Sequence, residues 1–149
     1  MGLFDAIDIS GSALSAERLR MDVTAENLAN AQTTRTANGQ PYRRKVVELQ
    51  QAPEAGSFGS VLSGAMGAGA SSQPSGVHVA GIAQDSAPNK MVYDPGHPDA
   101  NAQGYVSMPN VDPVTEMVDL ITESRGYEAN VTAMQAAKTL FSKTLDLLR

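Results

Sequence analysis

Asp94, His97 and Asp99 fall within six residues in YDPGHPDAN (93–101), the nearest approach in this sequence to a metal-binding cluster. Imidazole and carboxylate are the ligand types a hydrolytic metal uses, but the spacing matches no His-Glu-x-x-His arrangement. Prolines 95 and 98 flank His97, so the segment reads more simply as a stiffened surface turn. The other histidine, His78, sits in an alternating pattern suited to a strand. Gly-x-Ser-x-Gly is absent; the closest phrase, GSVLSG (59–64), has the wrong spacing and lies in low-complexity sequence. There is no glycine loop with a lysine to cradle a phosphate. Cysteine is absent altogether, which excludes disulfides, thiolate metal sites and cysteine nucleophiles. The residues point to no catalytic group, no metal and no cofactor.

What they must then do is assemble or bind. The chain has 149 residues, a single-domain length, with 42% apolar residues but only 5% aromatics and no tryptophan. Large side chains that dominate core energetics are scarce, and a tightly packed isolated globule is not the natural expectation. The net charge of −5 carries no concentrated basic excess, which argues against nucleic acid or an anionic membrane as partner. Arg43-Arg44-Lys45 is the single basic cluster and reads as a solvated edge beside a turn. No apolar run approaches the ~20 residues of a membrane span. The opening MGLFDAIDIS has no basic n-region and carries Asp5 and Asp8 where an apolar segment would sit, so it does not read as a signal peptide. Ala6 likewise stands where myristoylation requires Ser or Thr.

Two helices are written in three-four spacing. From Leu3 to about Asn30 the seam is Phe4, Ile7, Gly11, Leu14, Arg18, Met21, Ala25, Leu28, six of eight positions apolar. Gly11 in mid-helix suggests a close neighbour. The second helix has Asp112 as N-cap, Pro113 at its first position and Glu116 in its first turn. Its seam is Met117, Leu120, Ser124, Tyr127, Val131, Met134, Lys138, Phe141, Leu145, Leu148, eight of ten apolar. Unbroken, residues 113–148 would run about 54 Å, longer than the roughly 38 Å of a compact chain this size. Either the helix breaks, with Gly126 the candidate, or the molecule is elongated; elongation is the favoured reading.

Between the helices, residues 44–50, 76–83, 90–94 and 104–108 alternate like short strands, and Asn38-Gly39 followed by Pro41 signals a turn. Residues 55–76 contain 16 Gly, Ala or Ser among 22, which predicts a flexible loop, with Phe58, Val61, Leu62 and Met66 able at most to form one docked turn. The expected fold is mainly α with a small β element: long terminal helices packed as an elongated coiled-coil-like pair, central antiparallel strands and the Gly/Ala/Ser-rich loop. The chain divides as 1–30, the N-terminal helix; 31–110, loop and β region; and 111–149, the C-terminal helix. One seam buries too little to hold a helix alone, so each needs a partner. Pairing within one chain and packing between chains are both open on this evidence.

ENLANAQTT (26–34), placed after an N-terminal heptad helix, resembles the Asn-Leu-Ala-Asn-x-x-Thr motif of the bacterial flagellar rod and hook proteins. GQPYRRKVV (39–47), VYDPGHPDANAQGYVSMPNVDPVTEMVDLI (92–121) and SRGYEANVTAMQAAKTL (124–140) resemble the proximal-rod branch of that family. The resemblance spans nearly the whole chain apart from the Gly/Ala/Ser-rich segment. It implies a structural, non-enzymatic subunit without cofactor, whose terminal helices pack together and against neighbours as the wall of a hollow axial shaft. That shaft transmits torque and passes later subunits. It also implies export through the flagellar export apparatus without a cleaved signal, a place in the basal body outside the inner membrane, and as partners copies of itself and other rod and basal-body subunits. The subunit-interface residues expected on this basis are Ile7, Leu14, Met21, Asn27, Leu28 and Asn30 on the first helix. On the second they are Met117, Leu120, Tyr127, Val131, Met134, Phe141, Leu145 and Leu148. Asn30 suits a helix stop because asparagine tolerates the left-handed backbone, and Asn27 can bond the backbone of an adjoining loop or neighbour. A soluble helical-hairpin adaptor and a small metal hydrolase using Asp94, His97 and Asp99 are the competing readings.

Overall fold

The structure is a computed structural model that describes residues 3–52 and 76–147. In chain order the elements are α1 (Leu3–Ala29), β1 (Lys45–Gln51), β2 (Val77–Gln84), β3 (Lys90–Tyr93), β4 (Tyr105–Met108) and α2 (Pro113–Leu147). Mainly helical with a small β element, this is the expected class, and the four strands fall within two residues of the segments the alternation marks out. The glycine-rich segment 55–76, with Phe58, Val61, Leu62 and Met66, lies outside the described residues save Gly76.

The helix boundaries follow from local chemistry. At the start of α2 the Asp112 carboxylate accepts a hydrogen bond from Val114 N at 3.1 Å, and its carbonyl accepts from Glu116 N at 3.0 Å. Pro113 has no N–H to leave unpaired there. α2 then continues without interruption for 35 residues, about 52 Å, straight through Gly126. α1 stops at Ala29 by a different device from the one the sequence suggests: no described residue other than glycine has positive φ, so Asn30 is not left-handed. Its side-chain amide instead donates to the Glu26 carbonyl at 2.9 Å, which also accepts from Asn30 N at 3.1 Å, and its Oδ1 accepts from the Thr33 hydroxyl at 3.2 Å.

β1 and β2 form one antiparallel pair, closed by Ala52 N to Gly76 O at one end and Asp85 N to Arg44 O at the other, both 2.8 Å. β3 and β4 form the second, in register from Lys90 opposite Met108 to Tyr93 opposite Tyr105, whose rings meet edge-on at 5.3 Å. The turn that Asn38-Gly39 foretells is present. Gly39 has φ 74° and its N–H donates to Thr36 O, a backbone conformation that favours glycine.

The chain folds as two compact units. Among the described residues the first takes 3–17, 49–52, 76–80 and 126–147, where the two helices run antiparallel: Gly11 faces Met134, and Gly126 faces Glu17. A Cβ on Gly11 would stand 3.9 Å from Met134 Cε, ordinary contact, so the glycine is not required for closeness. Gly76 is different, because a Cβ there would lie 2.2 Å from Ser12 Oγ. That hydroxyl donates to Ile9 O at 2.8 Å and accepts from Val77 N at 3.0 Å, seating the first residue of β2 directly on α1. The second unit, residues 18–48 and 81–125, buries Val23, Tyr42, Val106, Pro109 and Val111.

Candidate functional site

Two polar groups of the second unit are as fully buried as its Val106 and Pro109. Asn27 is 2% exposed and Glu116 1%. The Asn27 amide donates to Lys45 O at 2.9 Å and to Glu116 Oε2 at 3.0 Å, while its oxygen accepts from Lys45 N and from the Tyr42 hydroxyl, each at 2.9 Å. Two donors and two acceptor sites is the full capacity of a carboxamide, so nothing is left unmet. The other Glu116 oxygen takes Arg44 Nε at 2.5 Å, and Arg44 Nη2 reaches Asp119 at 3.1 Å. One turn back along α1 and two turns on along α2, the Thr24 hydroxyl donates to Glu123 at 3.2 Å, with Arg20 Nε at 3.4 Å from the same oxygen. Lys45 pairs with Glu26 at 2.6 Å and lies over the Tyr42 ring.

Each link has a physical reason. An ionised carboxylate as enclosed as Glu116 is tolerable only when a cation and further donors hold it, which Arg44 and Asn27 do. Burial lowers the tendency of the Arg44 guanidinium to stay protonated, but the bond to Glu116 and the charges of Glu116, Asp119 and Asp85 outweigh it and push the pKa up. The Tyr42 phenol is pushed up to about 12, first by burial and then by the charges of Glu26 and Glu116. Together these groups lock the end of α1, the start of β1 and the first turn of α2 into one arrangement.

The basic cluster is therefore not a solvated edge: Arg44 and Lys45 are spent on this lock, and only Arg43 is exposed. Asn27 does bond backbone beyond its helix, but that backbone is Lys45, the first residue of β1, and not a loop. The lock's other members, Arg44, Tyr42, Glu116, Thr24 and Glu123, escape sequence reasoning. Their one signal is a polar line, Arg20, Thr24, Asn27 on α1 against Glu116 and Glu123 on α2, at helical spacing.

The apolar seams are placed less simply. On α1 the buried line is Ala16, Val23, Thr24 and Asn27; Ile7, Leu14, Met21 and Leu28 lie on another side and are half-buried, and Arg18 and Ala25 between them are exposed. On α2, Leu120, Tyr127, Val131 and Met134 are half-buried, whereas Met117, Phe141 and Leu145 are exposed. Leu148 lies outside the described residues, as does the Phe4 side chain. Beside Met117, and away from the buried line, Val114, Val118 and Ile121 are exposed too, the last two at 57% and 55%. These four make a continuous apolar ridge at i, i+3, i+4 and i+7.

Asp94, His97 and Asp99 are occupied in their own loop. Asp94 accepts from Gly96 N, His97 Nδ1 accepts from Asp99 N, and Asp99 accepts from the Thr34 hydroxyl at 2.8 Å with Arg35 at 3.7 Å. No cluster of three or more His, Asp or Glu placed to hold a metal occurs among the described residues. No described helix is long and apolar enough to cross a membrane.

Two helical ends, paired through a lock and carrying apolar side chains outward, are the parts that comparison with known proteins picks out. Residues 7–35 match the family described as flagella basal body rod protein, and residues 102–147 match the C-terminal region of the flagellar basal body rod FlgEFG proteins. The class is thus that of the flagellar rod proteins. Relatives of nearly equal length narrow it. Flagellar basal-body rod protein FlgC of Bacillus subtilis is 50% identical over 99% of both chains, and FlgC of Yersinia enterocolitica is 44% identical over 99% of this chain and 98% of its own. FlgC of Borreliella burgdorferi is 41% identical over 100% and 99%. The chain belongs to the FlgC family of flagellar basal-body rod proteins, and it is a structural subunit of the proximal rod.

Proposed function

We propose that this subunit builds the rod by packing both terminal helices against copies of itself and against other basal-body subunits, forming a hollow shaft. That shaft carries torque outward and leaves a bore for subunits exported later. The chain itself reaches its place outside the inner membrane through the flagellar export apparatus without a cleaved signal, and it performs no catalysis. The observation that carries this reading is the exposure of Val114, Met117, Val118 and Ile121 on α2, an apolar ridge that the isolated chain leaves in water. The half-buried seam residues Ile7, Leu14, Met21 and Leu28, together with Leu120, Tyr127, Val131 and Met134, are the remaining interface positions under this reading, with the exposed Phe141 and Leu145 and, beyond the described residues, Leu148. The test is to replace Leu28 by Asp in the chromosomal copy of the gene and to analyse basal bodies by mass spectrometry. Native cells should yield the chain in the rod fraction, and the variant should yield immotile cells lacking it. Normal swimming by the variant, or native basal bodies without the chain, would count against the reading.

A further inference from the structure

The outer side of α1 in the second unit is the counterpart of the ridge. Asp22, Ala25 and Ala29 are exposed along one line, opposite the buried Ala16, Val23 and Asn27, and half-buried Met21 and Leu28 border it. Two alanines with Met21 and Leu28 along one side and Glu26 along the other make a shallow groove where another helix can approach closely. The ridge on α2 likewise lies opposite that helix's buried Glu116 and Glu123. Each copy therefore presents a ridge on one helix and a groove on the other, facing outward from the pair.

Charge fixes the direction in which they fit. Arg125 is exposed one turn past Ile121 on the ridge line, and Asp22 is exposed one turn before Ala25 on the groove line; neither has an ion-pair partner among the described residues. Seven residues separate Asp22 from Ala29 and seven separate Val118 from Arg125, so each spacing is about 10 Å along its helix. Run antiparallel, Arg125 meets Asp22 while Ile121 lies over Ala25 and Val118 over Ala29. α1 and α2 are antiparallel within this unit, since Thr24 bonds Glu123 and Asn27 bonds Glu116. Two copies in the same orientation therefore bring α2 of one antiparallel to α1 of the next, as the fit requires.

We propose that the Val114–Ile121 ridge of one copy seats in the Asp22–Ala29 groove of a second copy, closed by an Arg125–Asp22 ion pair. This contact rests on the rod-subunit reading and adds to it a defined register. Because ridge and groove are different surfaces, the contact is head-to-tail, and it does not close a two-fold dimer.

The chain has no cysteine, so engineered thiols report the contact cleanly. Cells carry Ala25→Cys and Ile121→Cys in the same full-length chain, or either alone, and their isolated basal bodies are oxidised and run without reductant. The expected result is a ladder of cross-linked copies for the double variant and none for either single variant. Cross-links in a single variant would show a two-fold contact and overturn the proposal. Motile cells whose rods contain the double variant but give no ladder would overturn this contact while leaving the rod reading standing; absence of the chain from native basal bodies would instead remove the rod reading. Charge exchange gives an independent readout. Asp22→Arg and Arg125→Asp should each impair swimming and the two together restore it, and failure of the pair to restore it despite a folded chain would count against the ion pair.

Discussion

Asn27 concentrates more of the fold's specificity than any other side chain in the second unit, because its four hydrogen bonds reach α2, the backbone of β1 and the Tyr42 hydroxyl. Removing it strands the Lys45 N–H and weakens the hold on a buried carboxylate. Asn27→Ala should lower the unfolding free energy by about 3 kcal/mol in urea titration, near the upper end for unsatisfied buried polar groups. A change under about 0.5 kcal/mol, typical of an inert surface position, would mean the lock is dispensable. Tyr42 gives the lock a pH signature. Its phenol stays protonated in the folded chain up to about 12, whereas the unfolded chain ionises it near 10. The stability it contributes is whole below pH 10 and is lost as the pH climbs toward 12. Tyr42→Phe removes that ionisation, so its stability profile should be flatter than the native one between pH 10 and 12; parallel profiles would contradict the assignment.

At the scale of elements, much of the structure was legible in the sequence. The Asp112-Pro113 start of α2, the Asn38-Gly39 turn and the four strands rest on local chemistry, which acts within a few residues and needs no knowledge of the fold. The lock was not legible, because Arg44 and Glu116 are 72 residues apart and Asn27 and Glu116 are 89. The rule that buried positions are apolar also misleads where a carboxamide and a carboxylate are buried as deeply as Val106 and Pro109. The seams follow the helical period, but the line buried within the chain is a different one, since periodic apolar residues mark every face that leaves water, whether it packs within a chain or against another. Gly76 is a further contact that local pattern cannot reveal. Gly76→Ala drives a methyl into Ser12, whose hydroxyl tethers β2 to α1, and should cost about 1–3 kcal/mol, read as a lower melting temperature. Adding Ser12→Gly should recover part of the loss, and an unchanged melting temperature for Gly76→Ala would show that the seat is loose.

For the whole molecule, the central claim is that the outer face of α2 is kept apolar for neighbours and not for the chain's own folding. Those two roles separate at Val118, which is 57% exposed and lies on the side of α2 away from the buried Glu116 and Glu123. A charge at such a position costs the isolated chain little, yet it costs an assembled interface the desolvation of a carboxylate. The decisive measurement is the amount of Val118→Asp chain in purified basal bodies, alongside the thermal melt of the same purified variant. A native-like melt with the chain missing from the rods is the predicted result. Native-like incorporation of the variant would contradict the claim.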